Sequence, residues 1–209
     1  MRIKPNLLRG AAVGFTTALL ASAGLALAQA DPATDGSVAI SVEIAETTEP
    51  GYLALSLAGS TVALTETTSA DPTQRQFSGV LPAVTVTDTR SEADISASAA
   101  WYVVGQVGAF ADGANTIAAD QLGWTPALAD GYDDADGLVA PGDPVGTALD
   151  DPAGAGLASS QLLFSTGDSA LALASGQTQW SANAGLVLRT ADTVTAGDYA
   201  ATLTLSLFE

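Results

Sequence analysis

The stretch Leu81–Val104, LPAVTVTDTRSEADISASAAWYVV, decides how this chain folds. Pro82 is expected to end the segment before it, because proline gives no N–H to a strand ladder. Val84-Thr85-Val86-Thr87 is β-branched throughout, which suits a strand. Asp88-Thr89-Arg90-Ser91 then reads as a polar turn. A second strand follows with Trp101 at its centre. Ala99, Trp101 and Val103 share one face of it, and Ala100, Tyr102 and Val104 share the other. A large aromatic on a strand anchors a core, so Trp101 is expected inside, with contact to a bound ligand as the alternative. The chain closes on Asp198–Phe208, DYAATLTLSLF, which alternates as cleanly. These two strands read as the two poles of one sheet-built domain.

The start of the chain has a different character. Arg2, Lys4 and Arg9 precede an apolar run from Ala11 to Leu25. Ala26-Leu27-Ala28 and Ala28-Gln29-Ala30 both fit a small-x-small cleavage site. Residues 1–28 are therefore expected to be a secretory signal, with the cut after Ala28 or after Ala30. An uncleaved anchor over Ala11–Ala30 is the rival reading, and the Ala- and Gly-rich composition favours cleavage. Residues 31–209 then form a single domain of about 180 residues, long enough to bury a core unaided.

Charge and composition exclude much. Losing the signal removes three of six basic residues and none of 23 acidic ones, so the remainder carries −20. Nucleic acid is excluded as a partner at that charge. Bulk attraction to anionic membranes or wall polymers is excluded as well. The chain has no cysteine, so neither disulfides nor thiol catalysis is available, and it has no histidine for triads or metal sites. No lysine remains after the signal, which removes Schiff bases. Two carboxylates would suffice for a glycosidase, but the acids gather in loops rather than beside aromatics. No enzymatic activity and no cofactor are expected.

Along the chain, Ser37–Ala45 alternates with Val38, Ile40, Val42 and Ile44 on one face. Tyr52–Leu57 and Thr61–Thr65 continue the pattern, separated by ordinary turns. Gln74–Val80 looks like a shorter strand holding Phe77 inward. Residues 109–157 show no sustained period and read as a loop-rich insertion, with a helical turn or two at Asn115–Leu122. Strands resume at Gln161–Phe164 and Ala170–Ala174. Thr178–Arg189 puts Trp180, Ala182, Ala184, Leu186 and Leu188 on one face, and Thr193–Gly197 turns into the last strand. About ten short strands at regular spacing predict an all-β, antiparallel β-sandwich or barrel-like domain.

Within the insertion, Asp134 and Asp136 are weak candidates for a calcium loop. Tyr132 stands where that pattern needs its first aspartate, and Asp143 where it needs a glutamate. A solvated acidic loop that keeps the protein soluble is the simpler reading. Trp124 has no apolar period around it. It either stacks on a sugar ring beside Tyr132 or plugs a sheet end.

Leu81 to Arg90, followed by Trp101-Tyr102-Val103, resembles the first motif region of WxL-domain surface proteins. Tyr199, Ala201, Leu203, Thr204, Ser206 and Leu207 resemble the terminal motif strand of the same family. On this resemblance Leu81, Val84, Val86, Asp88, Trp101, Tyr199, Ala201, Leu203, Leu205 and Leu207 are motif and core positions. Val103 and Leu205 depart from the pattern, the second standing where the family has a tryptophan. The resemblance implies non-covalent attachment to the peptidoglycan of a Gram-positive wall, in company with other surface proteins and without a membrane anchor after processing. A self-assembling or partner-binding subunit and a calcium-dependent module are the alternatives. Arg90, at the motif's turn, is expected either to reach wall carboxylates or to pair with Asp88.

Overall fold

A computed structural model describes residues 50–129 and 137–209. Ser37–Ala45 and the signal lie outside the described residues, as do Tyr132, Asp134 and Asp136. Among the described residues eleven strands and one α-helix follow in chain order. β1 (Leu53–Leu57) and β2 (Thr65–Thr67) both pair with one edge of β3 (Gln74–Asp88). β4 (Trp101–Val107) comes next, and β5 (Phe110–Asp112) and β6 (Asn115–Ile117) make a small hairpin. β7 (Leu122–Leu128), β8 (Val139–Pro141) and β9 (Gln161–Thr166) precede the helix α1 (Ser169–Ala174). β10 (Gln179–Ala191) and β11 (Leu203–Phe208) finish the chain.

The strands make two main antiparallel sheets. One runs β1-β3-β10-β7, with β2 on the same edge of β3 as β1. The other runs β11-β4-β9-β8. Their inner faces share one core. Val84 and Val86 of β3 and the β10 row Trp180, Ala182, Ala184, Leu186 and Leu188 meet Trp101, Val103 and Phe164 of the second sheet. Trp101 has no exposed surface and bridges the layers. Its ring lies 5.4 Å from Phe164 at 78° and 5.8 Å from Trp180 at 46°. The fold is an antiparallel β-sandwich.

Several expectations need correction. Pro82 does not end a segment, because β3 runs through it for 15 residues. The ladder with β10 slips there: Leu81 faces Ala184 and Val84 faces Ala182, so two residues oppose Asn183 alone. A bulge tolerates the missing N–H. The strands on either side of Asp88-Thr89-Arg90-Ser91 join different sheets, so the turn is a corner between layers. Trp101 opens β4 rather than sitting at its centre. Of the run Thr61–Thr65 only Thr65 is paired, as the first residue of β2, and Val62 is exposed.

The described residues of 109–157 hold four strands, most only three residues long. Asn115–Leu122 is strand β6 followed by a 3-10 turn at Ala119–Gln121. Ala170–Ala174 is helical rather than extended. Asp168 caps it, accepting a hydrogen bond from the Leu171 N–H at 3.0 Å, and Ala and Leu are strong helix formers.

The terminal strand is paired with β4 along all six of its residues, from Leu203 opposite Val107 to Phe208 opposite Tyr102. It is shorter than expected. Tyr199 and Ala201 precede it, and the Tyr199 hydroxyl donates to the Thr195 carbonyl at 3.0 Å. Between these strands Gly105 has a steric duty. A Cβ there would lie 2.7 Å from a Trp124 ring carbon and 3.1 Å from a Leu205 methyl. Gly105→Ala is therefore expected to cost about 1–3 kcal/mol by overpacking, read as a lower midpoint in a denaturant melt. An unchanged midpoint would show that the indole has room to move.

Candidate functional site

The motif corner is a buried ion pair. Asp88 ends β3 with no exposed surface. Its carboxylate accepts Arg90 Nε at 2.9 Å, Arg90 Nη2 at 2.7 Å and the Arg90 backbone N–H at 3.2 Å. Arg90 Nη1 donates to Glu209, which fastens the residue after β11 to this corner. The bonds to Asp88 hold the guanidinium above its already high ordinary value, against the opposing effect of burial, and Glu209 adds to them. Only 11% of the Arg90 side chain is exposed. Of the two roles considered for Arg90, pairing with Asp88 is the one the geometry shows.

The other two arginines are engaged as well. Arg75 donates to both Glu66 oxygens, at 2.8 and 3.0 Å, and this holds the Glu66 carboxyl below the usual carboxylate range. Arg189 Nε lies 3.1 Å from Asp150, an ion pair without hydrogen-bond alignment. No described residue thus offers an unpaired cation to an anionic ligand.

The tryptophans are structural. Trp101 is fully buried. Trp124 is not in a loop but in the middle of β7, 2% exposed, with its indole over Gly105 beside Leu205. Space next to the leucine is thus filled by a ring from another strand. Tyr132, Asp134 and Asp136 lie outside the described residues, and among the described ones no group of acids is placed to hold a metal ion. An apolar groove of about 650 Å³ is lined by Leu64, by Phe77 of β3, by Phe110 of the β5-β6 hairpin, by Tyr199 and by Leu203 of β11.

An exposed aromatic pair lies on the outer face of the second sheet. Phe208 and Tyr102 are direct partners on β11 and β4, 42% and 47% exposed for Tyr102 and Phe208 respectively. Their rings lie 5.3 Å apart at 20°, stacked. Ser206 and Val104 pair in the next row, with Leu162 of β9 beside Val104, and Thr204 and Gln106 pair in the third. Gln106 is held by the loop before β9, its amide donating to the Ala158 carbonyl at 2.9 Å. None of these side chains is charged. Sequence reasoning placed Tyr102 on the outward face but assigned it no role. The signal for Phe208 was its phase, since it falls in line with Thr204 and Ser206 where a polar residue belongs.

Comparison of the chain with protein-family models gave no match. Comparisons with curated proteins and with solved structures gave none either.

Proposed function

We propose that this chain is a secreted, non-enzymatic surface protein that holds the peptidoglycan wall non-covalently and displays or docks other surface proteins there. One observation carries the reading. β4 and β11, the strands of the two motif regions, lie side by side and present an exposed, uncharged aromatic pair on their outer face. The absence of histidine and cysteine from the whole chain supports a binding rather than a catalytic role. With every described arginine engaged by an acid, attachment rests on short-range contact rather than on charge.

The test is cosedimentation of the purified protein with washed wall sacculi, with and without chelator. The protein is expected in the pellet in both cases. Protein left in the supernatant overturns the reading, and pelleting that chelator abolishes points instead to a calcium-dependent module. Docking of a partner chain is a second reading with its own support. β11 is the end strand of its sheet, and its sequence, LTLSLF, has neither proline nor charge to block an added strand.

A further inference from the structure

We infer that the outer face of the β11-β4-β9 sheet is a carbohydrate-binding face, and that its ligand is an uncharged glycan chain. The inference deepens the attachment reading and rests on it only for the source of the glycan, the N-acetylated sugar backbone of the wall. It names the backbone as the bound part, rather than the peptide stems or an anionic polymer.

Three features of the face converge on this ligand. The first is the ring pair. Two large aromatics, each about half exposed, stack nearly parallel on one another and leave their edges and outer faces to a ligand. The C–H-rich side of a pyranose ring packs on an aromatic face, where the ring's negative quadrupole meets slightly positive hydrogens. The second is the polar surround. The hydroxyls of Thr204, Ser206 and Ser165 sit in rows beside the rings, and among the described residues none makes a hydrogen bond. They can exchange hydrogen bonds with sugar hydroxyls and acetamido groups in place of water. Same-face residues two apart on a strand are separated by about 6.7 Å, so the three rows from Phe208 to Thr204 span about 13 Å. That is room for an oligosaccharide rather than a single sugar.

The third feature is charge. Among the described residues the face carries no ionised side chain, in a chain with 23 acidic residues. A cationic partner would be drawn to the acidic surfaces, and an anionic polymer would be repelled from all of them. A neutral chain meets neither effect, and covering this face strips water from no charge. A second copy of the protein fits less well. Two rings and Leu162 fall far short of the roughly 800 Å² per partner that a stable protein interface buries.

The probe is the hexasaccharide of N-acetylglucosamine, titrated against the full chain as its host processes it. Intact sacculi and chitin, a second uncharged N-acetylated glycan, serve alongside. The wild type is expected to bind all three. Y102S/F208S should lose at least tenfold in affinity for each, with an unchanged melting temperature. Y102F/F208Y keeps the rings, so it should bind like the wild type and covers the case in which the serine variant unfolds. Binding to intact sacculi but not to chitin or hexasaccharide overturns the inference and leaves wall attachment standing. Binding to the hexasaccharide but not to sacculi does the reverse. A folded Y102S/F208S that binds as tightly as the wild type also overturns the inference.

Discussion

Trp101→Ala is expected to destabilise the protein by about 3–5 kcal/mol, the usual range for removing a buried tryptophan. The ring is the contact between the two layers, touching Phe164 of its own sheet and Trp180 of the other. A rigid sandwich cannot collapse fully into the space it would leave. Its indole N–H has no hydrogen-bond partner among the described residues, so packing alone carries the loss. Trp101→Phe should therefore recover much of the stability. Against a total of about 5–15 kcal/mol, the alanine variant loses a large share of its margin. A denaturant melt decides the matter, and a midpoint within error of the wild type would contradict the core role.

Arg90→Ala should cost a comparable amount, about 3–5 kcal/mol, because it strands a fully buried carboxylate. The loss falls on Asp88, which has three of its hydrogen bonds from Arg90. Arg90→Lys should not restore it, since a point charge cannot reproduce the bidentate fork. Glu209→Gln removes only the exposed partner and should cost less than about 1 kcal/mol. Replacing Asp88 and Arg90 together by apolar residues of similar size should be far milder than either single change, because no lone charge remains. Equal melts for Arg90→Ala and the wild type would mean that Asp88 finds water or another partner. The outcome also bears on binding. Arg90 is not free to reach the wall, so its loss should be felt as instability rather than as weaker attachment at full folding.

Some of this was legible from residue order. β10 was plain because Trp180, Ala182, Ala184, Leu186 and Leu188 repeat every second residue over a length no turn interrupts. The same rule failed at Ala170–Ala174, where alternating Ala and Leu satisfies a strand pattern yet suits a helix better. There the deciding signals were Asp168 as a cap and Gly176 just beyond, at φ +85°. Strands of three residues, such as β5, β6 and β8, are too short to show any period. Trp124 read as a loop residue because Gly123 and Pro126 flank it, although both have places in a strand. A Cβ on Gly123 would strike the Val145 carbonyl at 2.4 Å, and Pro126 lies on the end strand of its sheet. The candidate site was the least legible part. Its makers, Tyr102 and Phe208, come from strands 96 residues or more apart in sequence register, and only the pairing of β4 with β11 brings them together.

The central claim is that attachment works through an uncharged face rather than through opposite charges, and a salt series tests it most directly. Cosedimentation of the protein with purified sacculi is measured from low to high ionic strength. With 23 acidic residues against six basic ones, the chain should be retained equally or better as salt rises, because screening only relieves repulsion from anionic wall polymers. Retention that falls steeply with salt would contradict the account.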